Sequence, residues 1–440
     1  MAPQPNRPSF RTFLCLWASQ GLSQFGSSLS FFAISVWLVT DLYPAPEQKA
    51  ALAATLSYVS LAFAIPSLAL APIAGVFADR YDKKRIMLLM DLGAALVAGL
   101  MAYLIWTEQF SIHLLLPLIA AHAAMAAFHG AAFDTAYPLL VDEAHLPRAN
   151  GMMQLLGSSS AILVPAVAAG LIALTSTAFV LLLDLISFLV AVVVLAVLAV
   201  PRAEPAAVQP SKATPSLWLE VKVGMQFLLE RRELLWLLSM FAGANLLMAP
   251  LGIYLPLITK FTLATDWGAR GFTFQGAFAL LDTLFALGSV AGGLFIASWG
   301  GLKGRRVWGV IVPLLAGGLM MIGLGLSHSL YLSAGVLFCF SFGNPVANAH
   351  SQAIWQSRTP REKQGRVFAV RRVIAQVTSP LMVAISGWLA GRVDPAFIIL
   401  LFGLLLTAWA TLQAFNRRIH AVDLPPAPLP VGAPVEGPAS

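Results

Sequence analysis

The sequence has little charge and few cysteines. Only 11% of its 440 residues are charged and 58% are hydrophobic, whereas charged residues make up about a quarter of a soluble domain. The apolar residues come in runs too long for strands or ordinary core helices, and each run approaches the roughly 20 residues that cross a bilayer. These features exclude a soluble globular protein and predict an all-α membrane protein.

The motifs of common enzyme classes are also missing. The sequence has no HExxH, GxSxG or GxxxxGK[ST] motif, no paired histidines at metal-ligand spacing and no soluble domain that could hold a nucleotide. Cys15 and Cys339 both lie in apolar runs, so we expect no disulfide. The net charge of +7 is spread over short loops, which argues against a nucleic-acid partner. We expect no cofactor, no metal and no enzymatic activity.

Twelve apolar segments have the length of a membrane crossing. They lie at Phe13–Leu38, Leu52–Ala78, Ile86–Ile105, Leu114–Phe133, Met153–Leu174, Ala178–Val200, Leu235–Leu257, Phe278–Trp299, Val307–Leu326, Leu332–Ala349, Val367–Leu389 and Ala396–Ala414. With the N-terminus inside, only Lys49, Lys260, Arg270 and Arg392 of the 27 lysine and arginine residues fall outside, as the positive-inside rule requires. The pattern predicts a plasma (inner) membrane protein with both termini in the cytoplasm.

These spans divide the chain into five parts. They are a cytoplasmic N-terminus (1–12), a six-helix half (13–200), a cytoplasmic linker (201–233), a second six-helix half (234–415) and a disordered, proline-rich cytoplasmic tail (416–440). In the linker, the segment from Ser216 to Glu233 has apolar residues near one face and charges opposite. This pattern indicates an amphipathic interfacial helix, or simply the start of the seventh span.

An internal repeat relates the two halves. The segment GVFADRYDKKR from Gly75 is similar to GLFIASWGGLKGRR from Gly293, and each closes the second span of its half. Pro147-Arg148 and Pro360-Arg361 likewise precede the fifth span of each half. Many transporters use duplicated halves to build two states around a central site, so we expect two pseudo-symmetric six-helix halves.

The loop that begins at Gly75 resembles the signature of the major facilitator superfamily between its second and third helices. The matching residues are Gly75, Asp79, Arg80, Lys84 and Arg85. The glycine permits close helix approach, the aspartate can meet the positive start of a neighbouring helix, and the basic residues remain near water or anionic headgroups. The resemblance assigns a gating role to this loop.

Four further segments resemble the macrolide-efflux and siderophore-exporter branch of that superfamily. They are LAPIAGVFADRYDKKRIMLLMDL, AAFHGAAFDTAYPLLVDEAHL, VPAVAAGL and QGRVFAV. The resemblance covers roughly Phe10 to Arg418, and it implies export of drugs or secreted metabolites by proton antiport through alternating access. One departure concerns the fourth span, where His122 replaces a frequent arginine. His122 is either a proton carrier or a hydrogen-bonding group within the bundle.

Carboxylates within the spans require an explanation, because they cost about 2.5–3.5 kcal/mol at the bilayer centre. Asp184 and Asp282 lie well inside the sixth and eighth spans and match acidic positions of the resembled family. Each is a candidate for proton coupling or for a structural hydrogen bond, and Asp282 ranks first because sixth helices usually lie at the periphery of this scaffold. Asp91 and Asp134 lie near cytoplasmic ends and are interpreted as gate or packing groups.

Amides at helical spacing mark possible cavity faces. They are Gln20 and Gln24 in the first span, Asn245 in the seventh, and Asn344 and Asn348 in the tenth. Packing between helices is the alternative role. Trp17 and Met248 lie on nearby turns and would give a ligand apolar contact or pack in the core. Pro165 and Pro345 are possible bends.

Taken with the resemblance, these features predict a secondary active transporter that exports a small amphipathic molecule in exchange for protons. An uptake carrier on the same scaffold is the alternative, and a membrane enzyme or sensor is disfavoured by the missing motifs. The expected partners are the small molecule, protons and the lipid bilayer, with a monomer as the working unit.

Overall fold

The computed structural model describes residues 10–142, 145–198 and 225–423. The first half contains α1 to α6. They are Phe10–Trp37, Lys49–Arg80, Lys83–Trp106, Ile112–Ala136, Leu146–Leu174 and Thr177–Val197. The second half contains α7 to α15. They are Arg232–Met248, Leu251–Phe261, Ala264–Ala269, Phe274–Trp299, Trp308–Leu326, Leu330–Arg358, Arg361–Ala390, Pro395–Phe415 and Arg417–His420.

The number of crossings agrees with the sequence prediction. Eleven helical stretches in the described residues are long and apolar enough to span a membrane, and α7 and α8 together count as one of them. The twelfth crossing is the 30-residue helix α13, whose apolar part is Thr378–Ala390. Large hydrophobic side chains such as Leu89, Leu96 and Val193 are exposed on the outside of the bundle, where lipid replaces water as the solvent.

The six-helix halves repeat one packing pattern. In the first half α1 packs on α5 and α6, α2 packs on α4, and α3 packs on α4 and α6. In the second half α7 packs on α13 and α14, α10 packs on α12, and α11 packs on α12 and α14. Between the halves α5 contacts α10 and α2 contacts α13, as a pseudo-two-fold axis requires. The predicted pair of pseudo-symmetric halves is confirmed.

Small residues permit the closest helix contacts. A Cβ atom on Gly292 would overlap the backbone of Phe342, and one on Gly403 would lie 2.6 Å from the backbone nitrogen of Ile322. These glycines let α10 approach α12 and let α11 approach α14, as small residues commonly do between membrane helices. Dispersion contacts between closely packed backbones then replace the hydrophobic effect, which gives no driving force within lipid.

The seventh crossing is broken, which the sequence prediction of one continuous span from Leu235 to Leu257 missed. Helix α7 ends at Met248 and α8 begins at Leu251, with Ala249 and Pro250 in a turn between them. Proline has no amide hydrogen to donate and its ring opposes a continuous helix. By contrast, α5 and α12 remain helical across Pro165 and Pro345.

Two predicted segments lie largely outside the described residues. Of the linker 201–233, residues 201–224 are not described and residues 225–230 are helical. The predicted tail begins too early at 416, because Ile419 and Val422 are buried and the Asp423 carboxylate accepts a hydrogen bond from Val307 N at 3.3 Å. That bond satisfies an amide at the start of α11. Residues 424–440 lie outside the described part.

Candidate functional site

A cavity of about 920 Å³ lies at the centre of the bundle. Most of its walls come from α1, α3, α4 and α5, α6 contributes Asp184 and Phe188, and α10 contributes Phe278 and Asp282. A second cavity of about 350 Å³ lies within the second half, between α7, α8, α10, α11 and α12. Gly252, Leu255 and Asp282 line both cavities, so the two spaces are neighbouring parts of one central region.

The halves meet along α5 and α10, where Thr283 Oγ1 donates to Ile162 O at 3.5 Å, and two further polar contacts join them near one end of this region. Ser57 in α2 donates to Val383 O in α13 at 2.7 Å. Lys260 in α8 donates to Val39 O and Tyr43 O, just after α1, at 2.8 and 2.5 Å. We call this the closed end, where α1 ends and α2 begins. Among the described residues no side-chain hydrogen bond joins the halves at the opposite end, where α2 ends and α3 begins, and we call it the open end.

The charge on the cavity walls has one sign. Four aspartates and two histidines line the two cavities, and no lysine or arginine does so in the described part of the chain. The titratable residues are Asp91, Asp134, Asp184, Asp282, His122 and His129. Such a lining attracts cations and repels anions.

Asp184 lies in a hydroxyl-rich niche between α6 and α1. Its side chain is 1% exposed, and its Oδ1 accepts hydrogen bonds from Ser27 at 3.2 Å and Ser187 at 3.4 Å. A Cβ on Gly26 would lie 2.9 Å from the same oxygen, so a glycine there leaves room for the carboxyl group. The sixth helix therefore faces the cavity at this point, contrary to the expectation that it lies at the periphery.

Asp282 has different surroundings. It lies in α10 at the junction of the two cavities, near Leu255 and Phe285. No hydrogen bond to its carboxyl group is described, although Asp184 has two. A carboxylate without hydrogen-bond partners is energetically unfavourable in a medium of low dielectric constant, unless water solvates it or a proton neutralises it.

His122 lines the larger cavity on α4, and its ring centroid lies 6.0 Å from that of Phe188. Its Nδ1 atom is buried without a hydrogen-bond partner in the described structure. One residue in the same wall was missed by the sequence analysis. His129 lies two turns further along α4, and its Nε2 is 3.3 Å from Asp91 Oδ1. The i, i+7 spacing of the two histidines was a usable signal.

The five predicted amides all line the central region. Gln20 and Gln24 line the larger cavity, and Asn245, Asn344 and Asn348 line the smaller one. Gln20 Nε2 donates to Asp91 Oδ2 at 3.2 Å, and Asn348 Nδ2 donates to Asn344 Oδ1 at 2.5 Å. Met248 also lines the smaller cavity.

Trp17 has a packing role. It lies outside the cavity lining, where its Nε1 donates to Met152 O in α5 at 3.2 Å. Of the two apolar side chains proposed to touch a ligand, only Met248 therefore lies at the cavity.

The signature loop lies at the open end. Lys84 Nζ donates to Ala196 O and Leu198 O at 2.8 and 2.7 Å, which satisfies carbonyls at the end of α6 and places a cation at the negative end of that helix. Asp79, Arg80 and Arg85 are exposed.

The close helix contact expected at Gly75 is not seen among the described residues, where no atom of another element lies within 4 Å of a Cβ built on it. The aspartate of the signature, Asp79, is expected to meet the positive start of a neighbouring helix. The helix that packs on α2 from the other half is α13, which begins at Arg361, and the side chain of Arg361 is not among those described.

Comparison with known proteins agrees with this architecture. Residues 16–281 match the Major Facilitator Superfamily. The chain is 25% identical over 422 residues to macrolide efflux protein A of Streptococcus pyogenes, covering 94% of this chain and 97% of that protein. A bacterial homologue of the iron transporter ferroportin, solved in an inward-facing state, has a TM-score of 0.64 at 14% identity and covers 92% of this chain and 99% of its own.

The POT family transporter PepTSo has a TM-score of 0.68 at 13% identity, covering 94% of this chain and 99% of its own. These two structures show the shared fold alone. The predicted superfamily, the fold and the similarity to macrolide efflux proteins are confirmed. The chain therefore belongs to the Major Facilitator Superfamily and is a multi-pass membrane transporter, not an enzyme.

Proposed function

We propose that this transporter exports a small amphipathic molecule by alternating access, in exchange for protons. The observation that supports this most is the central cavity of about 920 Å³, which both halves line and which hydrogen bonds from Ser57 and Lys260 close at one end. A substrate can enter from the open end, and rocking of one half against the other would then expose it at the opposite face. The similarity to macrolide efflux protein A favours export over uptake.

The proposed orientation follows from the loops. The open end holds the basic residues of the signature loop and of the loop after α10, namely Arg80, Lys83, Lys84, Arg85, Lys303, Arg305 and Arg306. Positive loops face the cytoplasm, so we place the open end there and the protein in the plasma membrane with both termini inside. The structure then corresponds to an inward-facing state. Helices of one chain surround the cavity, which supports a monomer.

The chemistry of the substrate follows from the walls. Phe31, Phe63, Met90 and Met125 offer an apolar surface, and serines of α1 offer hydrogen bonds. With aspartates present and no lysine or arginine in the described lining, a neutral or cationic molecule suits the cavity better than an anion. The proton gradient is the proposed energy source, and no cofactor is needed.

The direct test uses inside-out membrane vesicles with an acidified interior. We expect a radiolabelled macrolide, within a panel of amphipathic compounds, to accumulate in the vesicles and to leave when an uncoupler removes the gradient. Accumulation only in right-side-out vesicles would instead establish an uptake carrier. Accumulation that persists with the uncoupler would disprove proton exchange.

Asp282 is the first candidate for the coupling residue. The variant Asp282→Asn cannot exchange a proton at this position, so we expect it to lose uphill export while retaining downhill exchange of the same compound. Asp184→Asn and His122→Gln are measured beside it. If all three variants still drive uphill export, proton coupling through these residues is wrong.

A further inference from the structure

Three helices of the first half meet at the Asp91 carboxyl group, which is 2% exposed. Gln20 from α1 donates to Oδ2 at 3.2 Å, and His129 Nε2 from α4 lies 3.3 Å from Oδ1. The orientation of the imidazole does not allow a hydrogen bond to this carboxyl group. His129 Nε2 is therefore buried without a hydrogen-bond partner in the described residues. A ring nitrogen in this position can accept a proton and then donate it towards Asp91.

Carboxylates act on this pair from two helices, α3 and α4. Asp91 on α3 and Asp134 on α4 are the carboxylates whose charge acts on His129. The helix α2 packs against α4, and its only charged groups near the open end are Asp79 and Arg80, both exposed at its last turn. The described cavity walls therefore contain no lysine or arginine that could neutralise the negative charge of Asp91. An ionised carboxylate buried to this degree needs a cationic partner, and protonated His129 is the one within reach.

The pair also lies on a route into the cavity. Asp91 is eight residues from the start of α3 and His129 is seven from the end of α4, which places both about 12 Å from the open end at 1.5 Å per residue. Asp184 is thirteen residues from the end of α6, or about 20 Å from the same end. Exposed Asp134, nearer the open end, lines the same wall.

We infer that His129 and Asp91 form a proton-binding pair in the first half, placed between the open end and Asp184. On loading, His129 Nε2 takes the proton and the imidazolium pairs with the Asp91 carboxylate, while Gln20 keeps its hydrogen bond to the other oxygen. On release, His129 becomes neutral and the attraction between α3 and α4 weakens. This inference rests on the proposed proton exchange and assigns it an additional site.

The pair is tested without any substrate by NMR of the detergent-solubilised protein with labelled histidine rings. The His129 signal is identified by its loss in His129→Gln, and exposed His113 at the start of α4 is the internal control. We expect the His129 ring to take up a proton as the pH is lowered, and to need more acid in Asp91→Asn because the attraction of the carboxylate is gone. Asp91→Glu keeps the charge and should restore titration towards that of the wild type.

A His129 ring that takes up no proton while the protein stays folded, or that titrates identically in Asp91→Asn, would overturn the pair. The transport assay adds a second readout. We expect His129→Gln and Asp91→Asn each to alter the pH profile of macrolide export, and the double variant to resemble the single variants, since coupled residues give non-additive effects. Additive losses with unchanged pH profiles would indicate structural roles only. Wild-type export without proton dependence would refute the proposed function, while the NMR result would still decide whether the pair exists.

Discussion

At the scale of single residues, Asp266 connects two loops at the closed end. Its carboxylate accepts two hydrogen bonds from Arg270, at 2.9 and 3.0 Å, and one from the backbone amide of Leu330 at 2.8 Å. These hydrogen bonds lower the pKa of Asp266 below its usual value near 4, and the bond from Arg270 has a larger effect than the bond from Leu330. The short helix α9 is thereby tied to the first residue of α12.

This linkage predicts a pH-dependent stability difference. A depressed pKa in the folded state gives stability that is present above the unfolded pKa and is lost as the pH falls through the folded pKa. Asp266→Asn should therefore lower the Tm at pH 7, and the difference from wild type should shrink below about pH 4. Thermal unfolding in detergent measures this, with exposed Glu47→Gln as a control. A difference that stays constant down to pH 3 would contradict the ionic origin.

The residue scale also shows where sequence reasoning works. Polar residues within apolar spans are conspicuous because insertion is costly, and so Asp184, Asp282 and the amides could be selected from the sequence. His129 was missed because its importance depends on Asp91 from another helix. The position of Asp184 facing the cavity was missed for a similar reason, since a sequence does not say which side of a helix faces which neighbour.

At the scale of elements, the closed end is held by contacts that cross between the halves. The helix α8 contributes Lys260, whose ammonium group binds carbonyl oxygens of Val39 and Tyr43 at the end of the first crossing. A Cβ on Gly387 in α13 would overlap Ser57 in α2, so glycine is needed for these helices to touch. The sequence predicted Lys260 only as one of four outer charges, because a loop charge does not reveal its partner.

Removing this lysine should open the closed end more often. A hydrogen bond to a charged group contributes about 1.5–3 kcal/mol, and about 1.4 kcal/mol changes an equilibrium tenfold. In a cysteine-free background, Lys260→Met should raise the labelling rate of Ala53→Cys, which is buried in α2, by roughly tenfold. The control is Arg392→Gln, because Arg392 bonds within its own segment to Trp388 O. Equal labelling in both variants would leave Lys260 without a gating role.

At the scale of the whole molecule, the twelve crossings and the two halves followed from composition, apolar run length and the repeat. These properties are fixed by the bilayer, which demands a helix of given length for each crossing. The break at Ala249–Pro250 did not follow, because the proline lies in a run that is apolar throughout. The conformational state did not follow either, because composition, run length and the repeat are the same whichever end of the bundle is closed.

Alternating access makes opposite predictions for the two ends, and spin-label distances measure both. The pair Arg80→Cys with Gln356→Cys reports on the open end. The pair Glu47→Cys with Arg392→Cys reports on the closed end. All four native residues are exposed. In the described state α2 and α13 touch near Gly391 and Ala50, so the closed-end pair should give the shorter distance.

A ligand shifts the equilibrium between the two states only as far as it binds one state more tightly than the other. When a macrolide is added to the protein reconstituted in lipid, we expect the open-end distance to shorten and the closed-end distance to lengthen together, since the halves move as units. If one distance changes while the other stays fixed, the halves do not rock about the central cavity, and local bending of α7 and α8 at Pro250 becomes the better account of access.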